Sequence, residues 1–93
     1  MRQISQTKAF KRDLKREAKG LHKQSLSVEL LAVIESLALD KPLAARHRDH
    51  PLTGSWKDHR DCHIRPDLVL IYRLPNATAL ELVRLGSHSE LGL

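Results

Sequence analysis

Four side chains that can transfer protons, His50, His63, Asp67 and His88, lie in the C-terminal half of this chain of 93 residues. Three of them fall between positions 50 and 67. Histidine has an unperturbed pKa of about 6.5, close to physiological pH, so a set of histidines suits general acid–base catalysis. The pattern therefore points to a reaction that moves protons.

Basic side chains and a tryptophan accompany these groups, and we expect them to bind RNA or its phosphates: Lys57, Arg60, Arg65, Arg84 and Trp56. RNA can be cut by attack of its own 2′-OH, which needs a base, an acid and nearby cations. That reaction requires neither a metal nor a protein nucleophile. A lone tryptophan is more often a core anchor than a platform for a base, and both interpretations of Trp56 stay open.

A metal site is the main alternative for the histidines. His47 and His50, and His59 and His63, have conceivable ligand spacing. No paired cysteine or established metal signature accompanies them, so we expect no metal and no cofactor. His22 and His47 are expected to be surface or core residues without a catalytic role.

The first half of the chain predicts a short strand and two helices. Arg2 to Ser5 favours a strand, and Thr7 is a plausible N-cap for a first helix that ends near Gly20. A second helix is expected to start near Ser25 or Ser27 and to end at Asp40-Lys-Pro42. Apolar residues recur at helical spacing in both helices: Phe10, Leu14, Ala18 and Leu21, then Leu26, Leu30, Val33, Ile34 and Leu37.

The second half predicts strands at residues 60–64, 68–74 and 78–85, separated by turns at 64–67 and 75–77. The expected fold class is α+β: one domain over residues 1–93, with a small antiparallel sheet against an N-terminal two-helix hairpin, in the order β-α-α-β-β-β. The turn at 64–67 would bring His63 close to Asp67.

Positive charge is concentrated at the N-terminus. Residues 1–24 hold eight Lys or Arg against two acidic residues, a net charge of +6, whereas the remainder has a net charge of −1. A basic segment of this kind suits either docking to a polyanion or a solvated helix face. The single cysteine and the lack of an apolar run of about 20 residues favour a cytoplasmic protein without a membrane partner.

One run of residues resembles the YafQ branch of the RelE/ParE toxin superfamily. It consists of His50-Pro-Leu-x-Gly-x-Trp56, Arg60-Asp-x-His63-x-x-Pro-Asp67, Leu70-Ile-Tyr72 and Gly86-x-His88. The resemblance covers essentially the whole chain. It implies the toxin of a type II toxin–antitoxin pair, an endoribonuclease that cuts mRNA on the 70S ribosome and inhibits translation.

By position, the resemblance places the catalytic residues at His50, His63, Asp67 and His88. His88 would be the general acid and His50 the base, with Asp67 assisting and His63 stabilising charge on the phosphate. The implied partners are a cognate antitoxin, of ribbon-helix-helix type, and operator DNA through the antitoxin complex. Ribosomal RNA would be contacted by the basic first helix through Lys8, Lys11, Arg12, Lys15, Arg16 and Lys19.

One position departs from the family pattern. Close members have an aromatic residue four positions after the last histidine, where this chain has Gly92. Loss of a stacked base would cost roughly 1–3 kcal/mol. This departure favours one alternative, a weakened toxin that acts mainly as a co-repressor with its antitoxin. A second alternative is a ParE-like toxin of the same fold that inhibits a protein target.

Overall fold

The computed structural model describes residues 1–20 and 23–93. Leu21, predicted on the apolar face of the first helix, and His22, expected to have no catalytic role, lie outside these residues. The long elements run in chain order as β1 (Gln3–Gln6), α1 (Lys8–Glu17), α2 (Lys23–Ala38), β3 (Arg60–Arg65), β4 (Leu68–Arg73) and β5 (Ala79–Gly86). Two short elements complete the fold, β2 (His50–Pro51) and α3 (His88–Leu91). The predicted α+β class and element order are confirmed; β2 and α3 are additions.

The strands form one sheet in the order β1-β5-β4-β3-β2. Strands β2, β3, β4 and β5 pair with one another in antiparallel orientation, as predicted for the last three. Strand β1 instead pairs in parallel with β5, with Gln3 opposite Ala79, so the sheet as a whole is mixed. This parallel pairing is possible because α1 and α2 carry the chain across one face of the sheet before β2 begins.

Helix α1 starts where the sequence predicts it. The Thr7 side chain accepts a hydrogen bond from the Phe10 backbone N–H at 3.0 Å, which is the N-cap contact. The Thr7 hydroxyl also donates to the Val83 carbonyl at 2.7 Å, so the cap ties α1 to β5. The predicted start of α2, near Ser25 or Ser27, lies inside the helix, which begins at Lys23.

Two apolar cores lie on opposite faces of the sheet. The larger core joins the helices to one face and includes Phe10, Leu30, Leu70, Tyr72 and Leu80. The smaller core lies on the other face, where Leu91 of α3 and Leu52 and Trp56 before β3 pack on the sheet residues Val69, Ile71 and Val83. Because both faces of β4 are covered, its side chains are continuously apolar, which explains the unbroken run in the sequence.

A buried carboxylate connects α1 to β5. Asp13 is fully buried and binds Arg84 Nε at 2.6 Å and the Leu85 backbone N–H at 3.1 Å, while Arg16 lies 3.3 Å away. Burial raises the pKa of Asp13, but these bonds and the two arginine charges outweigh it and hold the pKa below its ordinary value. The charge is therefore fully compensated.

No helix in the described ranges is long and apolar enough to cross a membrane.

Candidate active site

The four predicted proton-transfer residues come from four parts of the chain: β2, β3, the turn after β3 and the start of α3. Strand β3 alternates, with Cys62 and Ile64 in the larger core, so Asp61 and His63 face the side away from the helices. His50 on β2 pairs with Asp61 in the sheet register. Asp67 is in the turn between β3 and β4, and His88 begins α3 directly after β5. These placements bring the predicted residues to one region.

Asp67 and His88 make the closest contact in this region. Asp67 Oδ1 accepts the His88 backbone N–H at 3.0 Å and lies 2.6 Å from His88 Nδ1. The hydrogen bonds from the His88 backbone and side chain lower the pKa of Asp67, so the carboxylate is ionised and accepts the Nδ1 proton. The Nε2 atom of His88 is then left for other contacts. This arrangement fixes the orientation of an imidazole that can act on a substrate.

His63 lies against His88, with their ring centroids 4.9 Å apart and the planes at 75°. Burial lowers the pKa of His63, and the charges of His88, Arg48 and His50 lower it further, against the opposing effect of Asp61. His63 therefore carries a proton less readily than an exposed histidine. His63 and Asp67 were expected to lie close together, and in the structure both contact His88.

His50 completes the row beside a residue that the sequence analysis did not single out. His50 Nδ1 is 3.1 Å from Asp61 Oδ1 and 2.5 Å from the Arg48 carbonyl, to which its N–H is aligned as a donor. Asp61 is only 3% exposed, and its Oδ1 has no hydrogen-bond partner among the described residues. Burial raises the pKa of Asp61, although nearby His50, His63 and His88 oppose the shift. The period of two along β3, which places Asp61 beside His63, could have revealed it.

The arginines predicted to bind phosphate are engaged by carboxylates. Arg60 Nε contacts Asp49 at 3.3 Å and the Tyr72 hydroxyl at 3.2 Å. Arg65 pairs with Glu29 at 2.9 Å, and Arg84 with buried Asp13. Arg84 is thus placed with α1 and not with the histidines. Their assignment to RNA binding stays a prediction.

Trp56 lies near the C-terminal helix α3, whereas Lys57 lies on the surface. Trp56 packs on the smaller core and donates from Nε1 to the Leu91 carbonyl at 3.2 Å, so it anchors α3. Lys57 is exposed. Gly92, at the position where the resemblance implies an aromatic residue, ends α3 in the left-handed conformation, with φ of 70°.

The predicted ribosome-docking side chains are all exposed along and just after α1. Arg16 differs from the others because it contacts Asp13, Glu17 and Glu90 and donates to the Leu85 carbonyl. Two further arginines, Arg46 and Arg48, were not predicted. They line a groove beside His63 and His88.

This geometry can perform acid–base chemistry on a phosphodiester. His50 lies against the buried carboxylate of Asp61, and His88, oriented by the exposed carboxylate of Asp67, packs against His63. A substrate phosphate bound among them would meet two proton-transfer groups and several cations. Within the described part of the chain, no three His, Cys, Asp or Glu side chains form a group that could hold a metal ion.

Comparison with known proteins gives consistent matches over the whole chain. A family model described as the bacterial toxin of a type II toxin–antitoxin system, YafQ, matches residues 2–92. The mRNA interferase toxin YafQ of Escherichia coli strain B / BL21-DE3 is 36% identical over 90 residues, covering 97% of this chain and 95% of that protein.

Solved structures agree with the sequence matches. A crystal structure of a metal-bound toxin from Helicobacter pylori is 46% identical, with a TM-score of 0.86 over 98% of this chain and 99% of that one. The E. coli DinJ-YafQ toxin–antitoxin complex contains a chain 37% identical, with a TM-score of 0.81 over 97% of this chain and 96% of that one.

Proposed function

Because this chain belongs to the YafQ family of bacterial type II toxins, we propose that it is a ribosome-dependent endoribonuclease that cuts mRNA in the cytoplasm and so inhibits translation. The E. coli relative is named an mRNA interferase. The observation that carries the proposal is the row of proton-transfer groups, in which Asp67 binds His88, His88 packs on His63, and His50 lies against Asp61.

The proposed reaction is attack of the ribose 2′-OH on the adjacent phosphate. His50 removes the 2′-OH proton, and Asp61 balances the positive charge that His50 then carries. His88 protonates the departing 5′-oxygen through the imidazole that Asp67 orients. His63 and nearby arginines stabilise the added negative charge on the phosphate. The products are a 2′,3′-cyclic phosphate, or the 3′-phosphate formed from it, and a 5′-hydroxyl.

Alanine replacement tests the site. His50→Ala, His63→Ala, Asp67→Ala and His88→Ala should each slow cleavage of mRNA on programmed ribosomes, because each is proposed to act at one phosphate. His22→Ala is the matched control, since it removes a histidine outside the motif. Full activity of His88→Ala would refute the proposed roles.

The ends of the cleaved RNA test the mechanism. A 2′-deoxy nucleotide at the cut position should block the reaction because the attacking oxygen is missing. A crystal structure of the H. pylori relative is described as metal-bound. The proposed reaction takes its acid and its base from side chains of this chain and uses no metal. Products with 5′-phosphate ends, or a strict requirement for added zinc or manganese, would contradict the mechanism.

The proposed partner is an antitoxin of ribbon-helix-helix type that covers the cationic site with acidic and apolar residues. The E. coli relative was crystallised with the antitoxin DinJ. We expect operator DNA to be bound by the antitoxin part of the complex. Specific operator binding by this chain alone would contradict that division of roles.

A further inference from the structure

A tight turn beside the candidate site carries two arginines that the proposed mechanism does not assign. Residues Ala45–His47 form a single 3-10 turn, and Arg48 follows it. Arg46 and Arg48 lie on the wall of a groove of about 570 Å³. The groove is also lined by His47, His63, Arg65 and His88, so it opens directly onto the proton-transfer groups.

Arg46 and Arg48 differ from the other arginines near the site in having no ion pair with any described residue. Arg60, Arg65 and Arg84 each contact a carboxylate at 3.3 Å or less. Arg46 and Arg48 are exposed and make no such contact within residues 1–20 and 23–93. A guanidinium that is not already engaged by a carboxylate loses less when it binds a phosphate.

The backbone at Arg48 is held in an unfavourable conformation. Arg48 has φ of 45° and ψ of 45°, in the left-handed region. Among the described residues, the other non-glycine positions with positive φ are Asp40 and Asp58, and aspartate tolerates this region better than arginine does. The left-handed conformation costs roughly 1–2 kcal/mol for a residue with a Cβ. Strain of this kind is often retained where it places a side chain for function.

The turn is fixed to the site by two hydrogen bonds. Buried His47 donates from Nδ1 to the His63 carbonyl at 2.7 Å, which ties the turn to strand β3. On the other side, the Arg48 carbonyl accepts from His50 Nδ1. These two bonds hold the backbone of the turn beside His50 and His63, so the arginines project from a fixed position. This rigidity is what a binding site for a substrate needs.

We propose that Arg46 and Arg48 form a phosphate-binding turn that holds the RNA backbone in the groove, with Arg48 on the phosphate nearest His63 and Arg46 on the next one. His47 acts as a positioning residue for this turn. The inference rests on the proposed function for its substrate, a single RNA strand. The influence of the Arg48 charge on His63 agrees with this placement.

The salt dependence of RNA binding tests the turn directly. The probe is a fluorescent single-stranded oligoribonucleotide with 2′-O-methyl sugars, which keeps every phosphate but cannot be cut. Fluorescence anisotropy from about 50 to 200 mM KCl gives the slope of log K against log salt, to which each phosphate contact in a single strand contributes about 0.7. Arg48→Asn and Arg46→Gln should each reduce the slope by about that amount and weaken binding roughly tenfold.

Matched variants separate lost charge from altered folding. Asparagine tolerates the left-handed conformation, so Arg48→Asn should unfold at the same temperature as the wild type or higher. Arg48→Lys keeps the charge and should restore the slope. Lys41→Gln removes one exposed charge away from the groove and should leave the slope unchanged. Unchanged slopes for both arginine variants, or no binding by the wild-type protein at the lowest salt, would overturn the proposal.

A neutral linkage in the RNA locates the contact. A methylphosphonate at the phosphate bound by Arg48 should weaken wild-type binding but leave Arg48→Asn unaffected, since that variant has no contact left to lose. If a methylphosphonate weakened the wild type and Arg48→Asn equally, at whichever phosphate it was placed, the assignment would be contradicted. Failure of the proposed function is seen separately, because wild-type protein that cannot cut ribosome-bound mRNA can still show these slopes.

Discussion

Asp67 holds His88 at two points with one oxygen, which accepts both the backbone N–H and the side-chain Nδ1–H of the histidine. The contact joins the turn after β3 to the first residue of α3. Since α3 has only four residues, it cannot hold an imidazole in place by itself. The direction of the His88 ring is therefore set largely by Asp67.

Replacing Asp67 by asparagine should lower the rate of cleavage at least tenfold with little change in RNA affinity. Asparagine has nearly the same shape but no charge, and its amide can turn an N–H toward the histidine, which favours the wrong tautomer. Single-turnover cleavage on programmed ribosomes measures the effect. Asp58→Asn is the matched control because Asp58 is exposed and asparagine tolerates its positive φ. Equal rates for the two variants would remove Asp67 from the mechanism.

Asp61→Asn should make the protein more stable and less active at pH 7. The folded protein raises the pKa of Asp61 above the ordinary value of 3.8, so keeping it ionised at pH 7 costs stability. Lowering the pH protonates Asp61 in the folded state and removes that cost. The gain in melting temperature should therefore shrink as the pH falls toward 3.8.

Thermal unfolding of the wild type and the variant between pH 4 and pH 8 measures this gain, and ribosome assays measure the activity. His50, His63, His88 and Asp49 also face Asp61 and are common to both proteins. A gain that grows on acidification would show that Asp61 is compensated, as Asp13 is.

Arg84→Met should reduce the free energy of unfolding by about 3–5 kcal/mol, because it leaves Asp13 buried without its closest partner. The double variant Asp13→Asn with Arg84→Met should recover much of that loss, since no unpaired buried charge remains. Urea unfolding measures both. If the recovered double variant also cleaves mRNA at the wild-type rate, Arg84 has no contact with RNA. A rate that stays low in a stable double variant would support the predicted phosphate contact.

Neutralising Lys8, Lys11 and Lys15 together should separate ribosome docking from RNA binding in the groove. These lysines are exposed on α1 at spacings that place them on one side of the helix. Changing all three to glutamine should reduce cleavage on ribosomes several-fold, with the deficit growing at higher salt. Affinity for the short oligonucleotide should not change. A parallel loss in both assays would assign α1 to the RNA strand instead.

The sequence predicts the two helices because their apolar spacing is regular, and it predicts the long strands from strand-forming residues and the turns between them. Thr7 illustrates the success, since a polar residue before an apolar helical pattern becomes the N-cap. Strand β2 and helix α3 escape prediction because they are too short to show a period. Each depends on tertiary contacts, β2 on pairing with β3 and α3 on the hydrogen bond from Trp56.

The candidate site also contains some residues that the sequence predicts and others that only the structure shows. Histidines and Asp67 stand out by residue type and by resemblance to a family. Asp61, Arg46 and Arg48 do not, because their significance comes from burial and from missing partners. Arg84 is the opposite case. The sequence suggests that its charge could bind phosphate, but in the structure it pairs with the buried Asp13.

The pairing of β1 with β5 has a consequence for the order of folding. Strand β1 needs β5 as its neighbour, and His88 directly follows the end of β5. A chain in which β5 has not yet joined the sheet has no partner for β1 and no fixed position for the proposed acid. Completion of the sheet and placement of His88 therefore depend on the same strand and should occur together.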